Sequence, residues 1–305
     1  MDAKVKPSDD LLNQPSDDLF RRLLAERREE VVRLQKAEAD RLEDIETRGQ
    51  ARIAQLKSTM PADLVKTFDA LDASHREAEA AARHHAEQAK AKHMAAGAFE
   101  SEMASHPALA GNRLAAAAGL GWFKPYYGTL HGSNGTVYWQ GYNPGNIDLS
   151  DSASGAGSGL FGTGAGSFTM YMDWWFTYNA PQNRNYAHTI WVPFDGFYIL
   201  YADDGFWDSK EAHARIDLSA VGYQYNYKAT GSTNVFDIDS QNINVNDRFD
   251  GWRTMYYSDL LGADTAYLRV TASFYVYARG GGSTAQLNFS DGTANYIGVP
   301  WVSID

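Results

Sequence analysis

The sequence predicts an α+β protein with its two kinds of structure in separate regions. A long amino-terminal α-helical hairpin or coiled coil comes first, and an all-β, jelly-roll-like sandwich follows. Three observations predict this. All 18 Tyr and all 8 Trp lie between Trp122 and Trp301, whereas residues 1–120 hold only Phe20, Phe68 and Phe99 as aromatics. Glycine divides the same way, 4 before residue 121 and 23 after it. The hydrophobic period also changes, from about 3.6 before residue 100 to 2 beyond Trp122. These shifts divide the chain into an amino-terminal arm (1–16), a helical region (17–120), a glycine-rich connecting segment with a first strand (121–166) and a β head (167–305).

PSDDL occurs at 7–11 and again at 15–19. In the second copy Ser16 can accept from free amides of a first helical turn, and Asp17 and Asp18 complement its dipole. Apolar residues then recur at helical spacing: Phe20, Leu24, Val31, Leu34, Leu42, Ile45, Ile53 and Leu56. Dense charge between them leaves one narrow apolar stripe, so the helix must meet a second helix, another subunit or both. Arg27, Glu38, Gly49 and Arg52 interrupt the seam. STMPADL (58–64) ends the first helix, and Pro61 suits the first turn of a second one, which runs through Leu64, Phe68 and Leu71 into alanine-rich chain near Gly97. His84, His85 and Glu87 lack the H-E-x-x-H spacing and read as an exposed polar face.

In the β head, YLRVTASFYVYA (267–278) places Leu268, Val270, Ala272, Phe274, Val276 and Ala278 on one face and Tyr267, Arg269, Thr271, Ser273, Tyr275 and Tyr277 on the other. Further strand-like runs span 136–142, 167–178, 188–193, 196–202, 214–227, 234–245, 284–290 and 294–304. Asp-Gly pairs at 195, 204 and 291 mark hairpin turns between runs. Eight or nine strands without helices indicate a sandwich. Trp174 and Trp175 are adjacent on one strand, so one ring points to each face. Tyr223, Tyr225 and Tyr227 alternate as if on one face.

GAGSGLFGTGAG (155–166) contains a G-x-G-x-x-G match, but no helix follows it and no P-loop lysine is present. It reads as an arm between strands whose apolar tip, Leu160 and Phe161, can order against a neighbouring subunit. ADDGFWDSKEAH (202–213) gathers Asp203, Asp204, Trp207 and Asp208, acids beside a ring that suit a bound sugar or calcium. Asp237, Asp239 and Asp247 are further calcium candidates, although the EF-hand spacing fails. No catalytic constellation stands out: the G-x-S-x-G elbow is absent, and His131, His188 and His213 belong to no triad motif.

Regions 1–120 and 121–305 carry net charges of −3 and −8, which disfavours nucleic acid as a partner. The sequence shows no apolar stretch long enough for a membrane span, and no signal peptide at MDAKVKPSDDLL, so it reads as cytoplasmic, leaderless in export or particle-associated. Zero cysteines exclude disulfides. Together these features lead to a non-enzymatic, self-assembling structural or recognition protein. Its helices would drive homo-oligomerisation through Leu24, Val31, Leu34, Leu42, Ile45, Ile53 and Leu56, with no cofactor beyond calcium. A carbohydrate-binding, lectin-like head is the first alternative and a pore-forming toxin component the second.

Overall fold

The computed structural model describes residues 18–71, 84, 88, 120–123, 125, 127–131, 138–140, 143–145, 165–202, 210–225, 227–240, 243–280, 283–288 and 296–305. Helix α1 (Asp18–Thr59) is followed by a second helical run over 62–71. The strands are β1 (Gly121–Phe123), β2 (Tyr127–His131), β3 (Tyr138–Gln140), β4 (Asn143–Gly145), β5 (Ala165–Asn179), β6 (Arg184–Ala202), β7 (Glu211–Gln224), β8 (Tyr227–Ser240), β9 (Ile243–Leu261), β10 (Thr265–Arg279), β11 (Thr284–Asn288), β12 (Tyr296–Ile297) and β13 (Trp301–Ile304).

Among the described residues all strand pairs are antiparallel, and they form two sheets. One runs β2-β5-β10-β7-β8. The other is organised on β6, which pairs with β9 along one edge and with β13, β12 and β11 along the other. Helix plus β-sandwich is therefore the architecture.

Strand alternation builds the core. Even-numbered residues of β5 (Met170, Met172, Trp174, Phe176), β10 (Leu268, Val270, Phe274, Val276) and β7 (Ala214, Ile216, Leu218) meet Ile190, Val192, Val302 and Ile304 of the other sheet. Odd-numbered residues point outward, and there α1 lies across them. Phe20 sits edge-on to Trp175 (5.2 Å) and Tyr127 (5.6 Å) and stacks on Tyr267 (5.3 Å). Thus Trp174 faces the core and Trp175 faces the helix, as their adjacency requires.

Arg27 follows two turns after Phe20 and closes on Asp173, Nε to Oδ2 at 2.9 Å and Nη2 to Oδ1 at 3.1 Å. Thr271 donates to Asp173 Oδ1 (2.6 Å), and His131 Nε2 lies 3.3 Å from Oδ2. Burial pushes the Asp173 carboxyl up, but His131 and the Arg27 guanidinium overcome it and hold the group well below the usual carboxylate range. Glu30 joins Arg27 (3.0 Å) to Arg269 (3.4 Å). Farther along, Ser167 donates to Glu38, and Arg41 reaches the Tyr275 hydroxyl (2.7 Å) and lies over the Tyr277 ring.

The spacing explains why the two elements match. From Phe20 to Glu38 a helix rises about 27 Å, and from Trp175 back to Ser167 a strand spans about 26 Å. Helix α1 therefore runs antiparallel to β5 with its contacts in step.

Several strand boundaries differ from the sequence reading; the expected run 294–304, for one, divides into β12 and β13. Asp195-Gly196 lies inside β6, not in a turn, because the buried Asp195 carboxylate is paired with Arg248 of β9 (2.9 Å). The run 214–227 is broken at Tyr225, whose φ of 53° is left-handed, so Tyr223 and Tyr227 belong to different strands. The run 234–245 likewise divides between β8 and β9.

In the helical region α1 ends at Thr59 and Val65 N donates to the Pro61 carbonyl, as the STMPADL signal implies. Lys57 pairs with Asp69 (2.8 Å) and lies over the Phe68 ring, joining the two helical runs at their turn. The hairpin expected beyond residue 71 lies outside the described residues, apart from the helical positions 84 and 88. Among the described residues no helix is long and apolar enough to cross a membrane.

Candidate functional site

Among the described residues α1 packs on one outer face and no helix packs on the opposite one. Register fixes its composition. Trp301 of β13, Trp191 of β6 and Thr254 of β9 stand side by side, and so do Ser303, Thr189 and Tyr256. Residues paired across antiparallel strands point to the same side, and Val192 and Val302 beside them point into the core. The Trp, Thr and Tyr side chains are therefore outward.

A tryptophan row forms the middle of this face. Trp122 of β1 meets Trp301 edge-on at 3.9 Å, and Trp301 stacks on Trp191 at 5.7 Å with an interplanar angle of 15°. Trp301 and Trp191 are buried and Trp122 half-buried, so the row is a packed floor. Beside it β9 raises rings into solvent: Trp252 is 44% exposed, Tyr256 72% and Leu260 66%. Half-exposed Thr254 and exposed Ser258 alternate with them on the same side. Exposed rings grouped on one side of a strand make this face the candidate surface. Arg253 secures the strand beneath: its guanidinium donates to the Val235 (2.8 Å) and Asn234 (3.3 Å) carbonyls of β8 and lies over the Phe194 ring.

Beneath the carboxyl-terminal part of β9 is a buried polar group. Tyr257 and Asp259 point inward, opposite Gly222 of β7. Among the described residues neither Asp259 oxygen nor the Tyr257 hydroxyl has a hydrogen-bond partner. His188 of β6 stacks on Tyr257 (4.5 Å, 7°) and shares a 2.6 Å hydrogen bond with the Tyr178 hydroxyl of β5. Burial raises Asp259 to about 6, lowers His188 to about 4 against the nearby Tyr257 and Tyr186 carbonyls, and lifts Tyr257 and Tyr178 well above the usual phenol range.

Asp203, Asp204, Trp207, Asp208, Leu160 and Phe161 fall outside the described residues. Asp237 is on β8, held by His213 (2.6 Å), and Asp247 is exposed on β9. Asp239 pairs in register with His213. Among the described residues no three His, Cys, Asp or Glu side chains gather as a metal site. Of the helix positions, Leu24 packs against the head, Val31 is buried, Leu34 is exposed, and Leu42, Ile45, Ile53 and Leu56 are half-buried. The rings of β9 were missed because GWRTMYYSDLL has aromatic or apolar residues on both faces and so lacks a clean alternation.

No protein-family profile and no curated protein matches the chain. Several solved structures align with part of it. One is the carbohydrate-binding module TmCBM61 in complex with beta-1,4-galactotriose, at 8% identity over 58% of this chain and 87% of that one, TM-score 0.24. Another is an isomalto-dextranase of Arthrobacter globiformis T6 complexed with panose, at 12% identity over 58% of this chain and 23% of that one, TM-score 0.18.

Proposed function

We propose that the β-sandwich is a non-catalytic carbohydrate-recognition head whose binding surface is the outer face of β9 beside the tryptophan row. The carrying observation is the pair of exposed rings, Trp252 and Tyr256, on one side of a strand with Thr254 between them and Ser258 beyond. An aromatic face covers the apolar C–H side of a sugar ring, and flanking hydroxyls exchange hydrogen bonds with its hydroxyls. Rings four residues apart on a strand are about 13 Å apart, so both would engage one oligosaccharide. No acid projects between them on this side of β9, which favours neutral glycans. A glycan array probed with the whole protein tests the reading. Binding to a defined neutral oligosaccharide class, reduced in Trp252→Ala and Tyr256→Ala, is expected; no bound glycan would remove it.

Self-association through the helices is a second reading. Leu34, Leu64 and Leu71 are exposed on the two helical runs, where a second copy could cover them. Light scattering on the native particle tests it: a defined oligomer supports helical assembly, and a monomer excludes it. An oligomer would also multiply weak glycan contacts.

A further inference from the structure

Segment 256–260 of β9 has two working sides. Outward it shows Tyr256, Ser258 and Leu260; inward it carries Tyr257 and Asp259. Among the described residues the segment pairs only with β6, which makes it an edge strand there, with less to hold it than the strands between two neighbours. Its inward side fits tightly, since a Cβ built on Gly222 would stand 2.6 Å from Asp259 Oδ2 and 3.2 Å from the Tyr257 hydroxyl.

We infer that segment 256–260 is a proton-operated latch on the glycan face. Protonated Asp259 keeps the segment seated on Gly222 with Tyr256 held in place, and loss of that proton unseats it and weakens capture by the face. The latch deepens the carbohydrate reading and depends on it only for the binding arm of the test.

Asp259 is 2% exposed, forms no ion pair among the described residues, and has two unpartnered oxygens. The titratable groups near it are Tyr257 on its own strand, Tyr178 on β5, and Tyr186 and His188 on β6; β7 presents Gly222 and no charge. Burial lifts the Tyr257 and Tyr178 phenols well above their usual range, so both are neutral at physiological pH. His188 is the one base in the group, and burial lowers it to about 4, so it has already lost its proton when Asp259, raised to about 6, loses its own. Among the described residues the new anion therefore meets no cation. An isolated charge in an apolar interior is strongly disfavoured, and swinging an edge segment outward is the nearest way to hydrate it.

Amide hydrogen exchange on 256–260, compared between wild type and Asp259→Asn at about pH 5 and about pH 7.5, tests the latch. The ratio of the two proteins cancels both intrinsic exchange and the titration of His188. Protection of wild type relative to the variant should fall about tenfold across this range, and a constant ratio would overturn the latch. Binding of an array-positive glycan should weaken with rising pH in wild type and not in the variant; equal binding at both pH values would also overturn it. Should exchange respond while no glycan binds at either pH, the latch stands and the carbohydrate reading falls. If Asp259→Asn does not fold, carbon-13 titration of the wild-type Asp259 carboxyl decides. A midpoint near 6 supports the latch, and a midpoint in the ordinary carboxylate range near 4 contradicts it.

Discussion

The two outer faces of the sandwich start from the same material and end differently. Each carries a group of large rings: Trp175, Tyr223 and Tyr267 on one, Trp122, Trp191 and Trp301 on the other. The first is closed by α1, with Phe20 inserted among the rings and Arg27 buried on Asp173. The second is covered at its centre by its own packing and is open along β9. One face is thus closed by a charged helix, while the other exposes Trp252 and Tyr256, the rings proposed to recognise glycan. Stability should therefore be concentrated at the first and binding at the second.

Separating the two faces by substitution gives the largest effects at the helix. Asp173→Ala removes the buried partner of Arg27, leaving it only the more exposed Glu30, and should cost about 3 kcal/mol, measured by urea denaturation. A loss below 1 kcal/mol would mean that the helix is not held there. Phe20→Ala, which empties the aromatic pocket, should cost about 3 kcal/mol; protease cleavage within α1 should accelerate with it.

The pH dependence follows next. The folded-state pKa of His188 lies below its unfolded value, so its contribution is complete above about 6.5 and is lost as pH falls toward about 4. Asp259 acts in the opposite sense: its folded pKa is raised, so its contribution is present below the unfolded value and lost as pH rises through about 6. The two offset each other between these values. Replacing His188 with Gln should leave the Asp259 trend alone, giving a protein whose stability falls by about 2 kcal/mol from pH 4 to pH 6.5. Thermal melts across that range check the sign. Smallest for stability is Tyr256→Ala, which should stay within about 0.5 kcal/mol of wild type while reducing glycan binding.

The division into helix and sandwich was legible in the sequence because periodicity and capping are local signals. The limits of α1, expected at 17–57, are Asp18–Thr59. The seam interruptions held more than they were read to hold: Arg27 and Glu38, which spoil a heptad, are the side chains that bond to β5 and β10. What each face meets depends on contacts such as Arg27 with Asp173, 146 residues apart, and no local pattern encodes them. The same holds for Asp195-Gly196, a turn signal overridden by Arg248 from a neighbouring strand. Of the site, the alternation of β10 predicted two faces correctly, while the rings of β9 were obscured by an inward tyrosine and aspartate among them.

Calorimetric titration of an array-positive oligosaccharide into wild type, Phe20→Ala and the double variant Trp252→Ala, Tyr256→Ala tests the division between the faces most directly. Wild type and Phe20→Ala should bind alike, and the double variant at least about tenfold more weakly, consistent with loss of two aromatic contacts. Full affinity in the double variant, or a loss confined to Phe20→Ala, would contradict the assignment of recognition to the open face.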